Sequence, residues 1–279
     1  MKSFLSLFLI FGLFLITSTS FGQNKVDQSK KELNQGSDKG KSSSTSSSNS
    51  SSKNVDVDNP LLEIAGYIFF GAFKYGFIGD YKNENHLYSN LTPYPYYNGK
   101  SGNFEKYETD TIKKNEFRID VENYFIYNDN DLFGNHLKAK IRPFQYFQIQ
   151  TDFHQLYEFE RMDNTTTTNQ LSLFHFNLGY DRIRFEKFNL GWTLGASYVG
   201  NEVRKAGFSF GLNADYFMNN QISFSAATKW SKINQLPVNA YEFQSKFHRK
   251  KYFFSLGFEH LKIATPTYNF IALGGGIYF

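Results

Sequence analysis

The sequence predicts an all-β protein, an antiparallel transmembrane β-barrel of about ten strands preceded by a disordered linker and a short helix. From residue 115 to the C-terminus, apolar and polar residues alternate with a period of two. Aromatic residues make up 19% of the chain, yet the mean hydropathy is only −0.47. Strands that place apolar side chains outward and polar side chains inward explain this combination. A soluble β-sandwich is the alternative.

The clearest predicted strand covers residues 206–216, where Phe208 and Phe210 alternate with small or polar residues such as Ser209. Residues 222–231 repeat this pattern after a connection short enough for a tight hairpin. Each strand is expected to reach roughly the 9–11 residues that a tilted membrane strand needs, and an even count puts both barrel termini in the periplasm. The ten segments are 117–121, 137–141, 147–153, 174–180, 188–198, 206–216, 222–231, 241–247, 252–258 and 271–279.

The hairpins should alternate between the two sides of the membrane. Residues 163–169 are polar and predict a mobile outer loop. No outer loop is long, which argues against a receptor with a large loop-built surface. The predicted periplasmic connections lie near Pro143, Glu186, Asn219 and Arg249, and the predicted outer ones near Asn130, Thr166, Glu202, Leu236 and Thr265.

The C-terminal residues Gly274-Gly275-Gly276-Ile277-Tyr278-Phe279 end an alternating strand on an aromatic carboxylate. This ending resembles the C-terminal signature of Gram-negative outer-membrane β-barrels, and the resemblance extends over about residues 115–279. It implies that the last strand closes the barrel and that Tyr278 and Phe279 form the assembly signal. It also implies outer-membrane lipid and the barrel-assembly machinery as partners. No motif identifies a particular family.

The N-terminus predicts a secretory signal peptide over residues 1–22. Lys2 precedes an apolar run from residue 4 to 16, and small residues flank Phe21, so the mature chain would begin near Gln23. The alternative, a retained membrane anchor, is less favoured because the apolar core is shorter than the ~20 residues of a spanning helix. The chain has no cysteine, which excludes lipidation at cysteine, disulfides and thiolate chemistry.

Residues 23–58 predict a disordered linker. Serine dominates residues 42–52, and the flanks carry lysine and acidic residues in near balance. Such a segment cannot bury enough apolar surface to offset the entropy of ordering. It serves either as a passive spacer or as a tether to a periplasmic partner or the cell wall.

Residues 59–114 predict a short apolar helix followed by an irregular Tyr/Pro-rich segment. Asn59 and Pro60 suit a helix start, and apolar residues recur at helical spacing over residues 60–74. Such a helix should lie at a membrane surface or against the barrel wall. A pair of extra strands is the alternative, since residues 67–77 also alternate. The cluster at residues 93–99 is interpreted as a packed loop, with sugar stacking as the alternative.

Charged residues of both signs are predicted to face the lumen. Acids of the first strand should meet bases of the second, because a ten-stranded barrel is only slightly wider than its side chains fill. The charges would then form a polar plug, with a narrow solute or ion path as the alternative. The predicted lumen network comprises Arg118, Asp120, Glu122, Lys138, Lys140, Arg142, Asp152, Lys229, Glu242, Lys246 and Glu259.

We predict no catalytic site, cofactor or metal. Outer-membrane acyl hydrolases need a serine beside a histidine, and no local motif matches them. His136, His154 and His175 could converge as metal ligands, but no spacing requires it. The glycine run at 274–276 is not a phosphate loop, and the net charge of +4 is too small to argue for nucleic acid.

The favoured function is a structural, anchoring or partner-binding barrel; the alternatives are a channel and, more distantly, an acyl hydrolase.

Overall fold

The computed structural model describes residues 24–36, 71, 73–106, 117–129, 131–162 and 165–279. Before the barrel come a helix, α1 (Lys25–Gln35), and a two-stranded ladder of β1 (Asn90–Leu91) and β2 (Phe104–Glu105). The barrel strands are β3 (Arg118–Asp129), β4 (Leu132–Arg142), β5 (Phe147–Met162), β6 (Thr165–Arg184), β7 (Phe188–Val199), β8 (Lys205–Phe217), β9 (Ile222–Ile233), β10 (Leu236–Arg249), β11 (Tyr252–Ile263) and β12 (Thr267–Tyr278).

The ten long strands close into one antiparallel barrel, which confirms the predicted fold class and strand count. Each strand pairs with its neighbours in the chain, and β12 pairs with β3 to complete the ring. At this seam, Phe279 N–H donates to Ile119 O over 2.8 Å and Ile119 N–H donates to Phe279 O over 3.2 Å. The C-terminal residue therefore takes part in barrel closure.

The barrel wall is apolar outside and closely packed inside. On β11, Phe253 points inward and is 2% exposed, whereas the adjacent Phe254 points outward and is 71% exposed. Successive strand residues face opposite sides of a sheet, so this contrast recurs on every strand. An outer wall of exposed aromatic and aliphatic side chains is the surface of a transmembrane barrel. No helix among the described residues is long and apolar enough to span a membrane.

The barrel has two mouths. The inner mouth is where β4, β6, β8, β10 and β12 end and β3 begins, and the outer mouth is where β3, β5, β7, β9 and β11 end. The predicted division of the hairpins between the two sides agrees with this arrangement. The names follow the orientation predicted from the strand count.

The prediction of a mobile loop over residues 163–169 was wrong for its larger part. β5 and β6 stay paired up to Met162 and Thr165, so residues 165–169 belong to β6. Threonine is β-branched and suits an extended strand. The β5–β6 hairpin therefore extends beyond the ends of the adjacent strands β4 and β7 at the outer mouth.

The prediction of a disordered linker was wrong for residues 25–35, which form α1. Val26, Ser29, Lys30 and Leu33 lie on one buried side of this helix. The average polarity of the segment concealed this narrow stripe, whose burial against the barrel offsets the cost of ordering. The signal peptide and residues 37–70 lie outside the described residues.

The segment before the barrel is packed against the inner mouth. Most of the predicted helix over residues 60–74 lies outside the described residues, and its visible end is a π-helical turn, Lys74–Ile78. The alternative of extra strands finds no support at residues 73–78. Phe77 packs against Trp192 of the outer wall with ring centroids 6.0 Å apart. Residues 79–105 then cross the inner mouth as a largely irregular plug.

Candidate functional site: a lumen closed at three levels

The outer part of the lumen is apolar, a feature that we did not predict. Inward-facing side chains near the outer mouth form one buried cluster with two residues of α1. These side chains pack together across the outer part of the lumen. The cluster includes Val26 and Leu33 of α1 with Ile126, Leu156, Leu171, Ile233, Leu261 and Phe270 of the barrel.

Polar contacts hold both ends of α1 in the outer mouth. Glu158 accepts hydrogen bonds from the backbone N–H groups of Lys25 at 2.9 Å and Val26 at 2.8 Å. At the other end, Asn234 Nδ2 donates to Leu33 O over 2.8 Å and Lys205 Nζ to Asn34 O over 3.0 Å. A carboxylate at the N-terminus and an ammonium at the C-terminus also complement the helix dipole. The helix is therefore bound specifically.

In the middle of the lumen, two lysines and two acids form a compact ionic group. Lys229 Nζ lies 3.3 Å from Asp152 Oδ2 and 3.2 Å from Glu242 Oε1. Lys138 Nζ lies 2.5 Å from Glu242 Oε2 and 3.9 Å from Asp152 Oδ1. The two positive and two negative charges balance, as buried charges must to offset desolvation.

Next to this group, two stacked histidines share one carboxylate. The rings of His136 and His154 lie 3.6 Å apart and nearly parallel. His136 Nδ1 donates to Glu259 Oε1 over 2.7 Å, and His154 Nε2 lies 3.3 Å from Glu259 Oε2. All three side chains are 0% exposed.

Nearer the inner mouth, arginines replace lysines. Arg118 Nε lies 2.7 Å from Asp120 Oδ1, and Arg142 is paired with Asp181. Arginine presents several donors in a planar fork, which suits a crowded ring of carboxylates. Above this ring, Lys246 Nζ contacts both carboxylate oxygens of Glu122 at 2.9 Å.

Lys140 is the exception among the predicted lumen cations. Among the described residues, no carboxylate lies within ion-pair distance of its ammonium group. It borders a small cavity of about 40 Å³, which is also lined by Asp120, Asn213, Asp215 and Gln244. At about 10–15 Å³ per water, this is room for a few water molecules. The cavity therefore offers room for water beside the Lys140 ammonium group.

The plug of residues 79–105 closes the inner mouth through side chains that enter the barrel. Arg118 Nη1 donates to Thr92 O over 3.1 Å, and Arg118 Nη2 donates to Asn103 Oδ1 over 2.8 Å. Tyr96 Oη donates to Ile222 O over 2.5 Å, and burial raises the pKa of this phenol. The plug is therefore bound to the ionic ring itself.

One ion pair also holds the plug at its edge. Arg182 donates to Glu84 through both terminal nitrogens, at 2.7 and 2.9 Å. These hydrogen bonds hold the pKa of the Glu84 carboxyl below its usual range. A bidentate pair of this kind fixes orientation as well as charge.

The charged residues of the predicted lumen network all lie in the lumen, and one expected contact between β3 and β4 is present, with Arg142 Nε 3.9 Å from Asp120 Oδ2. Other partners differ from those expected across adjacent strands. Glu122 faces Lys138 in the β3–β4 register, yet its ion pair is with Lys246. Lys138 in turn pairs with Glu242. These contacts cross the barrel, so they depend on its closure and not on local strand pairing.

The prediction missed Arg184, which is fully buried and lies 3.6 Å from the ring centroid of Tyr146. A bulge between Asp181 and Ile183 shifts the register of β6 and turns the end of the strand inward. A prediction that assumes strict alternation of inward and outward residues places Arg184 on the wrong side of the strand, because a bulge interrupts the alternation.

The hydrolase alternative finds no surface site among the described residues. The serine–histidine hydrogen bonds are His175 Nδ1 to Ser197 at 2.6 Å and His248 Nε2 to Ser223 at 2.7 Å. All four residues are nearly or fully buried in the lumen. On the outer wall, His260 Nδ1 bonds Asn269 Oδ1 at 2.6 Å, and no described serine bonds this histidine.

Comparisons with known proteins leave the family open. No family model and no curated protein matches the chain. Similar solved structures include the NanC porin, with 10% identity and a TM-score of 0.37 over 57% of this chain and 98% of that one. An outer-membrane channel of Pseudomonas putida F1 has 9% identity and a TM-score of 0.37, over 63% and 100%.

A third similar structure is Ail, the attachment invasion locus protein of Yersinia pestis, with 15% identity and a TM-score of 0.31 over 60% of this chain and 100% of that one. These values are too low to carry an argument about function. The barrel assignment rests on the strand pairing and on the inside-out burial of this chain.

Proposed function

We propose that this protein is a non-conducting, non-enzymatic outer-membrane β-barrel with a structural, anchoring or partner-binding role. The observation that carries this proposal is the closure of the lumen at three levels. α1 and the apolar cluster fill the outer mouth, the ionic groups fill the middle, and residues 79–105 cover the inner mouth. Each level alone would obstruct a water-filled path.

The proposed location is the outer membrane of a Gram-negative cell, reached by way of the signal peptide. The exposed outer belt would contact lipid, and the terminal Phe279 at the seam would be read by the assembly machinery. A contact with the cell wall or a periplasmic partner through the N-terminal segment stays a prediction.

A narrow channel is the second candidate, and the hydrated cavity beside Lys140 favours it. The two functions predict different permeability. Liposomes that contain the purified full chain should swell in isotonic small sugars no faster than empty liposomes. Swelling at a rate proportional to the protein content would contradict a sealed barrel and support the channel.

A further inference from the structure

The cluster of His136, His154 and Glu259 contains a fully buried acid that has no lysine or arginine partner among the described residues. The acids Asp152 and Glu242 are matched by Lys138 and Lys229. Among the described residues, however, the ion-pair contacts of Glu259 are to the two imidazoles alone. A fully buried carboxylate is costly without a cation. A proton within the cluster or a bound metal ion can supply the positive charge.

Two facing ligand atoms of this cluster also make no hydrogen bond with good geometry. They are His154 Nε2 and Glu259 Oε2; His136 Nε2 points away from them and lies 3.5 Å from Asp152 Oδ1. Buried polar atoms are normally hydrogen-bonded, so this concentration of unsatisfied atoms calls for an explanation. Nε2 of the His154 imidazole and Oε2 of the Glu259 carboxylate face each other.

The spacing of these atoms suits a metal ion. Ligand atoms around a tetrahedral ion with bonds of about 2.0–2.2 Å lie roughly 3.3–3.6 Å apart. His154 Nε2 and Glu259 Oε2 are 3.3 Å apart, and one ligand atom from each of the three residues lies within 4.8 Å of the others. His136 Nδ1 is hydrogen-bonded to Glu259 Oε1 at 2.7 Å and the two imidazole rings are stacked, so the rings would have to turn apart to bind one ion. A metal would replace the proton of this hydrogen bond, since bound imidazole must offer a lone pair.

We propose that His136, His154 and Glu259 form a binding site for a divalent transition metal such as Zn²⁺, which ties β4 and β5 to β11 across the lumen. Two imidazoles and one carboxylate are a ligand set that zinc accepts. His175 is not part of the site, because the ligand atoms that lie within 4.8 Å of one another belong to the other three residues and not to His175. The role is structural, since the plug and α1 separate the ion from any substrate.

The test refolds the full chain from urea into detergent with or without ZnCl₂, because a closed barrel must take up the ion while it folds. After gel filtration, elemental analysis should find about one zinc per chain. His154→Gln and Glu259→Gln should retain at least tenfold less, and His175→Gln should retain as much as wild type. Heat-modifiable migration checks that each variant has folded.

Cobalt provides a second measurement that needs no variant. Wild type refolded with Co²⁺ should show the intense visible absorption of a four-coordinate ion. Zinc absent from wild type, zinc retained equally by folded His154→Gln, or a cobalt spectrum without these bands would each overturn the proposal. In each of those cases, Glu259 is neutralised by a proton shared with the histidines.

Discussion

Lys140 and Arg142 lie two residues apart on β4 and both face the lumen, yet their surroundings differ. Arg142 is paired with Asp181 and lies 3.9 Å from Asp120. Lys140 has no ion pair among the described residues and borders the hydrated cavity. The alternation of the sequence correctly predicts that both point inward. It cannot predict their partners, because Asp181 belongs to β6, which is not a neighbour of β4.

This difference predicts unequal costs of substitution. Arg142→Met leaves Asp181 buried without its ion-pair partner and should lower the free energy of unfolding by about 3–5 kcal/mol. Lys140→Met removes a charge that has no direct partner, so it should change the free energy of unfolding by less than about 1 kcal/mol. Urea unfolding of the refolded barrel in detergent measures both. Equal losses would show that the ion pair does not set the stability.

At the scale of elements, the ten strands follow from the alternating pattern, whereas α1 and the tall β5–β6 hairpin do not. α1 buries only Val26, Ser29, Lys30 and Leu33 and would be unstable alone. Its order depends on a mouth built by residues more than a hundred positions later, such as Glu158. Local sequence carries no signal of that contact.

We expect Leu33→Asp to release α1 from the outer mouth, because it places a carboxylate in the apolar cluster. Gln28→Asp introduces the same charge on the exposed side of the helix and is the matched control. Hydrogen exchange followed by mass spectrometry should show fast exchange over Lys25–Gln35 in Leu33→Asp alone. Slow exchange in that variant would mean that burial of Leu33 does not hold the helix.

The inner plug should be sensitive to acid through Glu84. Its folded pKa lies below the ordinary value of 4.5 because Arg182 donates to the carboxylate. This contribution to docking is therefore present above the unfolded pKa and is lost as pH falls through the folded pKa. Trp192 reports on the segment that leads into the plug, because its indole donates to Phe77 O over 2.9 Å; Arg182, the partner of Glu84, also donates to Tyr75 O in this segment over 2.7 Å.

In a Trp230→Phe variant, Trp192 is the one remaining tryptophan. Its wavelength of maximum fluorescence emission should shift as pH falls from about 6 to 3, the range in which carboxyl groups titrate. Glu84→Gln should show the shifted emission at both pH values. Glu202→Gln, at the outer mouth, should behave like the parent. An unchanged titration in Glu84→Gln would assign the acid transition to other carboxylates.

The whole molecule is a closed ring, so its assembly should depend on the seam. Deletion of Phe279 removes two backbone hydrogen bonds between the ends of β12 and β3. We expect less heat-modifiable, folded protein in the outer-membrane fraction than for wild type. Phe208→Leu, a change on the exposed outer wall of β8 away from the seam, should assemble normally. Normal yields after the deletion would mean that the last residue is dispensable for closure.

The central claim is that the lumen is sealed, and single-channel recording in planar bilayers tests it most directly. Wild type should insert without measurable current, because α1, the ionic middle and the inner plug each obstruct the path. Leu33→Asp combined with Glu84→Gln, which loosens both mouths, should still show no stable open state, since the balanced charges of the middle remain in place. Stable, charge-selective open steps in wild type would contradict the account and show a conducting lumen.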